Sequence, residues 1–226
     1  MAARGAYDDS IRKALADLLV SRERDTAIER ALTSITGSAV ELVDGVDFAD
    51  VMVIGEGRSR SVTTVPLLVE LDALQIELQE GPCMDAAVGE AMVRCTDLRD
   101  DVRWPRYAAA AVAAGVHSML SFQLTIANQG IGALNMFGLD PRDVDPAAEA
   151  IGAILATLAT VAFMVADSQE QFAAALSSRD VIGQAKGMLM NNYKIDAETA
   201  FDMLRELSQT RNVNLRTIAQ QIVATF

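Results

Sequence analysis

The chain has 226 residues, 51% of them hydrophobic, enough to fill one sizeable core and a smaller second one. Nineteen Lys and Arg against thirty-one Asp and Glu give a formal net charge of -12, which argues against a protein that holds long duplex nucleic acid by bulk electrostatics. The excess is one-sided: from Gln169 onward six basic residues meet six acidic ones, while residues 1–168 hold thirteen and twenty-five.

The opening "MAARGAYDDSIRKALADL" lacks the apolar stretch and cleavage pattern of a secretory signal, and the only cysteines are Cys83 and Cys95. The expectation is a cytoplasmic, thiol-reduced chain. Ile11, Leu15, Leu18 and Leu19, resuming at Ile28, Leu32 and Ile35, predict a helix that stops near Gly37. "FADVMVIG" and "SVTTVPLLV" read as strands, and a helix follows from about Glu70 to Gln79, ending at Gly81 and Pro82. "AMVRCTDL" reads as a strand and "RYAAAAVAAG" as a helix stopped by Gly115. "SMLSFQLTIANQGIGALNMFGL" has the form of a hairpin turning at Asn128, Gln129 and Gly130. Strands with local helices around one mostly antiparallel sheet give an α+β class for this part.

Pro146 suits the first turn of a long helix. Within it, "AIGAILATLATVAFMVA" falls short of a confident membrane span and reads as a buried packing helix, with no membrane partner expected. Ile151, Ile154, Leu158, Val161 and Val165 recur at spacings of three and four, and Phe172 and Leu176 nearly continue the register. That is the seam of a coiled coil and predicts a parallel homodimer, with packing inside one subunit as the alternative. The tail reads as three helices: Gln169 to Met190, Asp196 to Ser208 with Asp196 as N-cap, and Asn214 to Phe226 with Asn214 as N-cap. Ile182, Ala185 and Leu189 form an apolar stripe on the first, Ala197, Phe201, Leu204 and Leu207 on the second, and Leu215, Ile218, Ala219, Ile222 and Phe226 on the third.

Catalysis has no support, because no nucleophile, base and acid can be placed together. The one histidine, His117, and two cysteines twelve residues apart make no metal-ligand set, and "GEGRSR" lacks the spacing of a phosphate-binding loop. No metal, haem or nucleotide cofactor is expected. Arg179 and Lys186 lie seven apart, two turns of one helix, and so project together beside the apolar stripe. Gly183 and Gly187 each cost about 1 kcal/mol in a helix interior relative to Ala, which is best explained if a backbone or ligand approaches closely. Met190 and Asn191 flank this patch, and Arg205, Arg211 and Arg216 could extend a basic face, though composition alone favours solvated charges.

The wording "LQIELQEGPCMDAAVGEAMVRCTDLRDDVRWPRYAAAAVAAGVHSMLSFQL" resembles a GAF domain of the kind found in actinobacterial regulators, over about residues 8 to 165. The resemblance implies a sensory or dimerisation domain, residues 8–168; its small-molecule pocket, where open, would be lined by Trp104, Tyr107, Met119 and Phe122, with core packing the favoured alternative for each. "SRDVIGQAKGMLM" followed by "AFDMLRELSQTRNVNLRTIAQQIV" resembles an ANTAR domain over residues 169–226, with Arg179, Ile182, Ala185, Lys186, Gly187, Leu189, Met190, Ala200, Phe201, Leu204, Arg205, Ser208, Asn212, Leu215 and Ala219 at the family's spacing. That implies a regulator of transcription antitermination that binds paired stem-loops in nascent mRNA. A DNA-binding helix-turn-helix, or a ligand-responsive interaction scaffold that touches no nucleic acid, are the other readings the residues leave open.

Overall fold

A computed structural model describes residues 27–55, 58–63, 65–126, 130–143 and 145–225; Ile11, Leu15, Leu18, Leu19, Asn128, Gln129 and Phe226 lie outside them. Helix α1 covers residues 27–42 and passes through Gly37, where no other atom comes near, so this glycine interrupts nothing. Strands β1 (Phe48–Gly55) and β2 (Arg58–Val62) follow, then helices α2 (Pro66–Leu78) and α3 (Pro82–Val88), strand β3 (Met92–Cys95) and helix α4 (Pro105–Ala113). Strands β4 (Ser118–Ile126) and β5 (Gly130–Gly138) precede three helices, α5 (Pro146–Tyr193), α6 (Ala197–Arg211) and α7 (Leu215–Thr225).

Contacts divide the chain into two compact units that meet between Asp167 and Ser168. In the first, five antiparallel strands are ordered β2-β1-β5-β4-β3. Strand parity then assigns every side chain to one of two faces. Met52, Val93, Met119, Ala133 and Phe137 point toward α2, α3 and α4, meeting Leu68, Leu71, Trp104, Tyr107 and Ala111. Val51, Leu120, Phe122, Leu134 and Met136 point the other way, against Leu32 and Ala39 of α1, Val43 just beyond its end, and Leu155, Ala156, Ala159 and Phe163 of α5. The first unit is an α+β sandwich with helices on both faces. Gly152 of α5 is forced by this packing, because a Cβ there would overlap the Phe122 ring.

Four helices begin with a proline whose missing N–H would have been unpaired there in any case: α2, α3, α4 and α5. Hence "SVTTVPLLV" is not one strand. It stops at Val62, and Pro66 opens α2. The "EGPC" run is a turn that docks on α2: Cys83 N–H donates to buried Gln75 Oε1 at 2.9 Å, and Gly81, at φ 133°, lies so close to the Gln75 side chain that no Cβ would fit. "RWP" works similarly, with Trp104 Nε1 donating to Asp85 Oδ2 at 2.8 Å before Pro105 starts α4.

Helix α5 is long and apolar enough to cross a membrane by length and composition alone. Its packing explains the composition differently, since Leu155, Ala156, Ala159 and Phe163 fill the sheet's helical face. It is buried on that side only. Ile154, Leu158, Val161 and Val165 are 60%, 50%, 47% and 51% exposed, so the three-and-four seam faces outward within the subunit rather than into its core.

Candidate nucleic-acid interface

The second unit is built from the end of α5, α6 and α7. Its core is Val181, Ala185 and Leu189 of α5, Ala200 and Leu204 of α6, and Ile218 and Ala219 of α7. Relative to the expected stripes, Val181 replaces Ile182 at the centre, and Phe201 lies at the surface, 39% exposed. Asp196 caps α6 by accepting the Thr199 N–H at 2.8 Å, and Asn214 receives the Arg216 N–H at 2.9 Å at the start of α7. Asn212 closes α6 at φ 50°, a left-handed conformation that asparagine tolerates well.

On α5, Arg179, Gly183, Gly187 and Asn191 are exposed, and Lys186 and Met190 are half-buried beside the core stripe. At 3.6 residues per turn Arg179, Gly183, Lys186 and Met190 share one face, with the two cations about 10 Å apart along the axis. Among the described residues neither Arg179 nor Lys186 forms an ion pair. Nothing comes within 4 Å of where a Cβ at Gly183 or Gly187 would stand, so the close approach inferred from these glycines is not made inside the unit. Their backbone is bare surface next to unpaired positive charge. Gly183→Ala and Gly187→Ala should therefore each raise the unit's stability, by up to about 1 kcal/mol, in thermal or urea unfolding.

Arg205 and Arg211 are exposed on α6. Arg216 is a different case: its Nη2 donates to Ser177 Oγ of α5 at 3.1 Å, and its Nε is enclosed. Ser177 and Arg179, two residues apart, project from opposite sides of the helix. Arg216 thus ties α7 to α5 and is not grouped with the Arg179 and Lys186 face. Phe201 of α6, expected in the apolar stripe, and Tyr193, 58% exposed at the end of α5, present aromatic rings at the surface.

A profile for the GAF domain matches residues 25–164, more than half of the chain, and one for the ANTAR domain matches residues 170–223. The chain belongs to the GAF-domain family and carries an ANTAR domain. Both are regulatory, not enzymatic, domains: ANTAR implies RNA-binding antitermination regulation, and GAF implies a sensory unit. No curated protein matches the chain. Among solved structures, the photosensory core module of a Stigmatella aurantiaca phytochrome is similar at 9% identity, covering 86% of this chain and 45% of that one with a TM-score of 0.50. A photoproduct-state GAF domain from Synechocystis is 14% identical over 67% of this chain and 98% of its own, with a TM-score of 0.48. Escherichia coli SdiA is 13% identical over 87% of this chain and 90% of that one, with a TM-score of 0.49. At such identities the likeness is one of fold.

Within the GAF unit, the four expected pocket residues do not share one face of the sheet. Trp104, Tyr107 and Met119 are buried on the α2–α4 face, where Tyr107 Oη reaches Met119 Sδ at 3.2 Å and the Trp104 Nε1–H is taken by Asp85, with the Arg103 guanidinium 4.0 Å above the indole ring. Phe122 faces α5 on the other side of the sheet. A cavity of about 150 Å³ lies elsewhere, where the end of α1 and the start of α5 flank the sheet, between Leu42, Gly45, Gly138, Arg142 and Ile151. Arg142 pairs with Asp44 there at 3.2 Å. Among the described residues no group of three or more His, Cys, Asp or Glu is placed to hold a metal ion.

Proposed function

We propose that this chain is a cytoplasmic homodimer, with a GAF sensory unit over residues 8–168 and an ANTAR unit over 169–226, which binds paired stem-loops in an mRNA leader. Arg179 and Lys186 make the principal contacts. The observation that carries the reading is the α5 face itself, where two cations free of ion pairs border bare glycine backbone. Unstacked loop bases present edges and flanking phosphates to a small surface of this kind, and Asn191 offers amide groups beside the cations. Gly183 and Gly187 let the RNA approach the helix backbone, and Met190 gives the patch an apolar floor. Tyr193 and Phe201 supply exposed rings for stacking, and Arg205 and Arg211 add charge. The outward seam of α5 joins two copies and so brings two such faces to two hairpins. A small molecule held by the GAF unit would modulate this output.

Lys186→Ala should leave the fold intact, because Lys186 is not one of the seven buried core residues, yet cost about 1–3 kcal/mol of RNA affinity. The check is a titration of wild type and variant against a paired-stem-loop RNA, a loop-scrambled control and duplex DNA at two salt concentrations. Binding should weaken with salt. Equal affinity for intact and scrambled loops would refute loop recognition, and tighter binding to duplex DNA would move the partner class. The stabilised Gly183→Ala chain provides an internal control: its affinity should fall while its stability rises.

A further inference from the structure

The sheet face under α2 holds a row of polar side chains amid an apolar core. Asp50 of β1 is registered against Asn135 of β5, and Asn135 against Ser121 of β4. All three are completely buried. Asn135 Nδ2 donates to Asp50 Oδ1 at 2.9 Å. From the facing helix α2 comes Asp72, also buried, whose Oδ2 accepts a 2.5 Å hydrogen bond from Ser61 Oγ of β2. The two carboxyl groups lie within hydrogen-bonding reach of each other. One oxygen on each, Asp50 Oδ2 and Asp72 Oδ1, is sealed from solvent and receives no donor from the protein.

Two carboxylates this close in an apolar core cannot both ionise. A proton carried by one of them would supply the donor that both orphaned oxygens lack. We propose that Asp50 and Asp72 form a proton-binding site bridging β1 and α2, which holds one shared proton at neutral pH and loosens α2 from the sheet when that proton is lost. The GAF unit then takes pH as an input signal, independently of what the ANTAR unit binds.

The surroundings favour the protonated pair. Burial first, and then the charge of Asp72, push the Asp50 carboxyl well above its ordinary value, and burial pushes Asp72 from 3.8 up to about 6. Cys83 of α3 and Tyr107 of α4 face the pair and are themselves pushed well up, chiefly by burial, so they stay neutral and bring no cation. Asn135 and Ser61 face it from the sheet, and the acid-lowering help they give does not outweigh burial. Gln75, one turn beyond Asp72, holds the Cys83 N–H, so movement of α2 is passed to the start of α3.

The folded-state values lie above the unfolded ones, so the folded chain binds more protons. The stability due to the pair is complete below the ordinary carboxylate value. It is lost as pH rises through the raised values of the pair, about 6 for Asp72 and well above the ordinary carboxylate value for Asp50. While one shared proton is the difference between folded and open states, opening becomes up to about tenfold easier per pH unit.

The test uses the full chain, by infrared titration of the carboxylic-acid carbonyl band and by hydrogen exchange of the α2 amides, corrected for intrinsic rates. Wild type should show one buried protonated carboxyl per chain at neutral pH, and α2 exchange that accelerates with pH. Asp50→Asn, which keeps the shape and supplies a permanent donor, should abolish the titrating band and the excess pH dependence; Asp72→Asn is the second variant. Two ionised carboxyls at neutral pH would overturn the proposal, including the case where metal analysis finds one bound cation per chain. So would unchanged pH dependence of α2 in a folded Asp50→Asn chain. Should neither variant fold, the wild-type infrared titration decides alone.

Discussion

A full-length chain carrying Leu158→Glu and Val165→Glu should sediment as a monomer and lose at least about a hundredfold in affinity for a two-hairpin RNA, while binding a single hairpin as before. Both positions lie on the outward side of α5, with Leu155, Ala156, Ala159 and Phe163 on the inward side holding the sheet. The substitutions therefore spare the subunit core. A seam of Ile154, Leu158, Val161 and Val165 repeated at three and four residues is what a second identical helix requires. Two glutamates placed in it would leave charges unpaired between the copies, a cost far above that of an exposed substitution. The RNA effect follows from tethering. Two weak contacts on one dimer gain an effective concentration worth about 10² to 10⁴ in affinity when the RNA spacing fits, and a monomer forfeits that term alone. Sedimentation equilibrium with parallel one- and two-hairpin titrations checks both halves. A variant that stays dimeric, or that loses single-hairpin binding equally, would show that the copies meet elsewhere.

What could be read from the sequence tracks how periodic each signal is. Strand β1, the β4–β5 hairpin and helices α6 and α7 carry repeats of two or of three and four, and caps such as Asp196 mark their ends, so they were legible. Helix α3 spans only seven residues, too few to show a period, and only its first residue, Pro82, was read, as the stop of the preceding helix. "SVTTVPLLV" misled because its β-branched residues outvoted Pro66, whose ring is compatible with a first helical turn. The pocket was misassigned for a simpler reason. Met119 and Phe122 are three apart on one strand, and parity alone puts them on opposite faces. Parity also held the clue to the buried acid pair, since Asp50 falls between Phe48 and Met52 in the inward series of β1. No pattern in the chain pairs it with Asp72, because only the folded register brings α2 over that strand. Arg216 was read as surface charge, and its turn inward to Ser177 depends on how α7 packs against α5.

Leu204→Ala should unfold the ANTAR unit while the GAF unit keeps its own transition, and RNA binding should disappear although no basic residue is touched. Leu204 is wholly buried and packs with Val181, Ala185 and Leu189 of α5 and with Ile218 and Ala219 of α7, so it joins all three helices. Truncating a buried leucine costs about 2–5 kcal/mol, from lost transfer energy and from the cavity left behind. For a unit the size of Ser168–Phe226, total stability is on the order of 3–9 kcal/mol, so the loss is a large share of what holds it together. Three short helices have little other core with which to refill the hole. The cationic face cannot survive this, since Val181, Ala185 and Leu189 fix the rotation of α5 that presents Arg179 and Lys186. Calorimetry of the full chain should show a low-temperature transition shifted or lost in Leu204→Ala, with the remaining transition in place. Leu204→Met, which conserves volume, should cost less than about 1.5 kcal/mol and retain RNA binding. Full RNA affinity in Leu204→Ala, or loss in Leu204→Met with an unshifted transition, would mean that the RNA contact does not depend on this three-helix core.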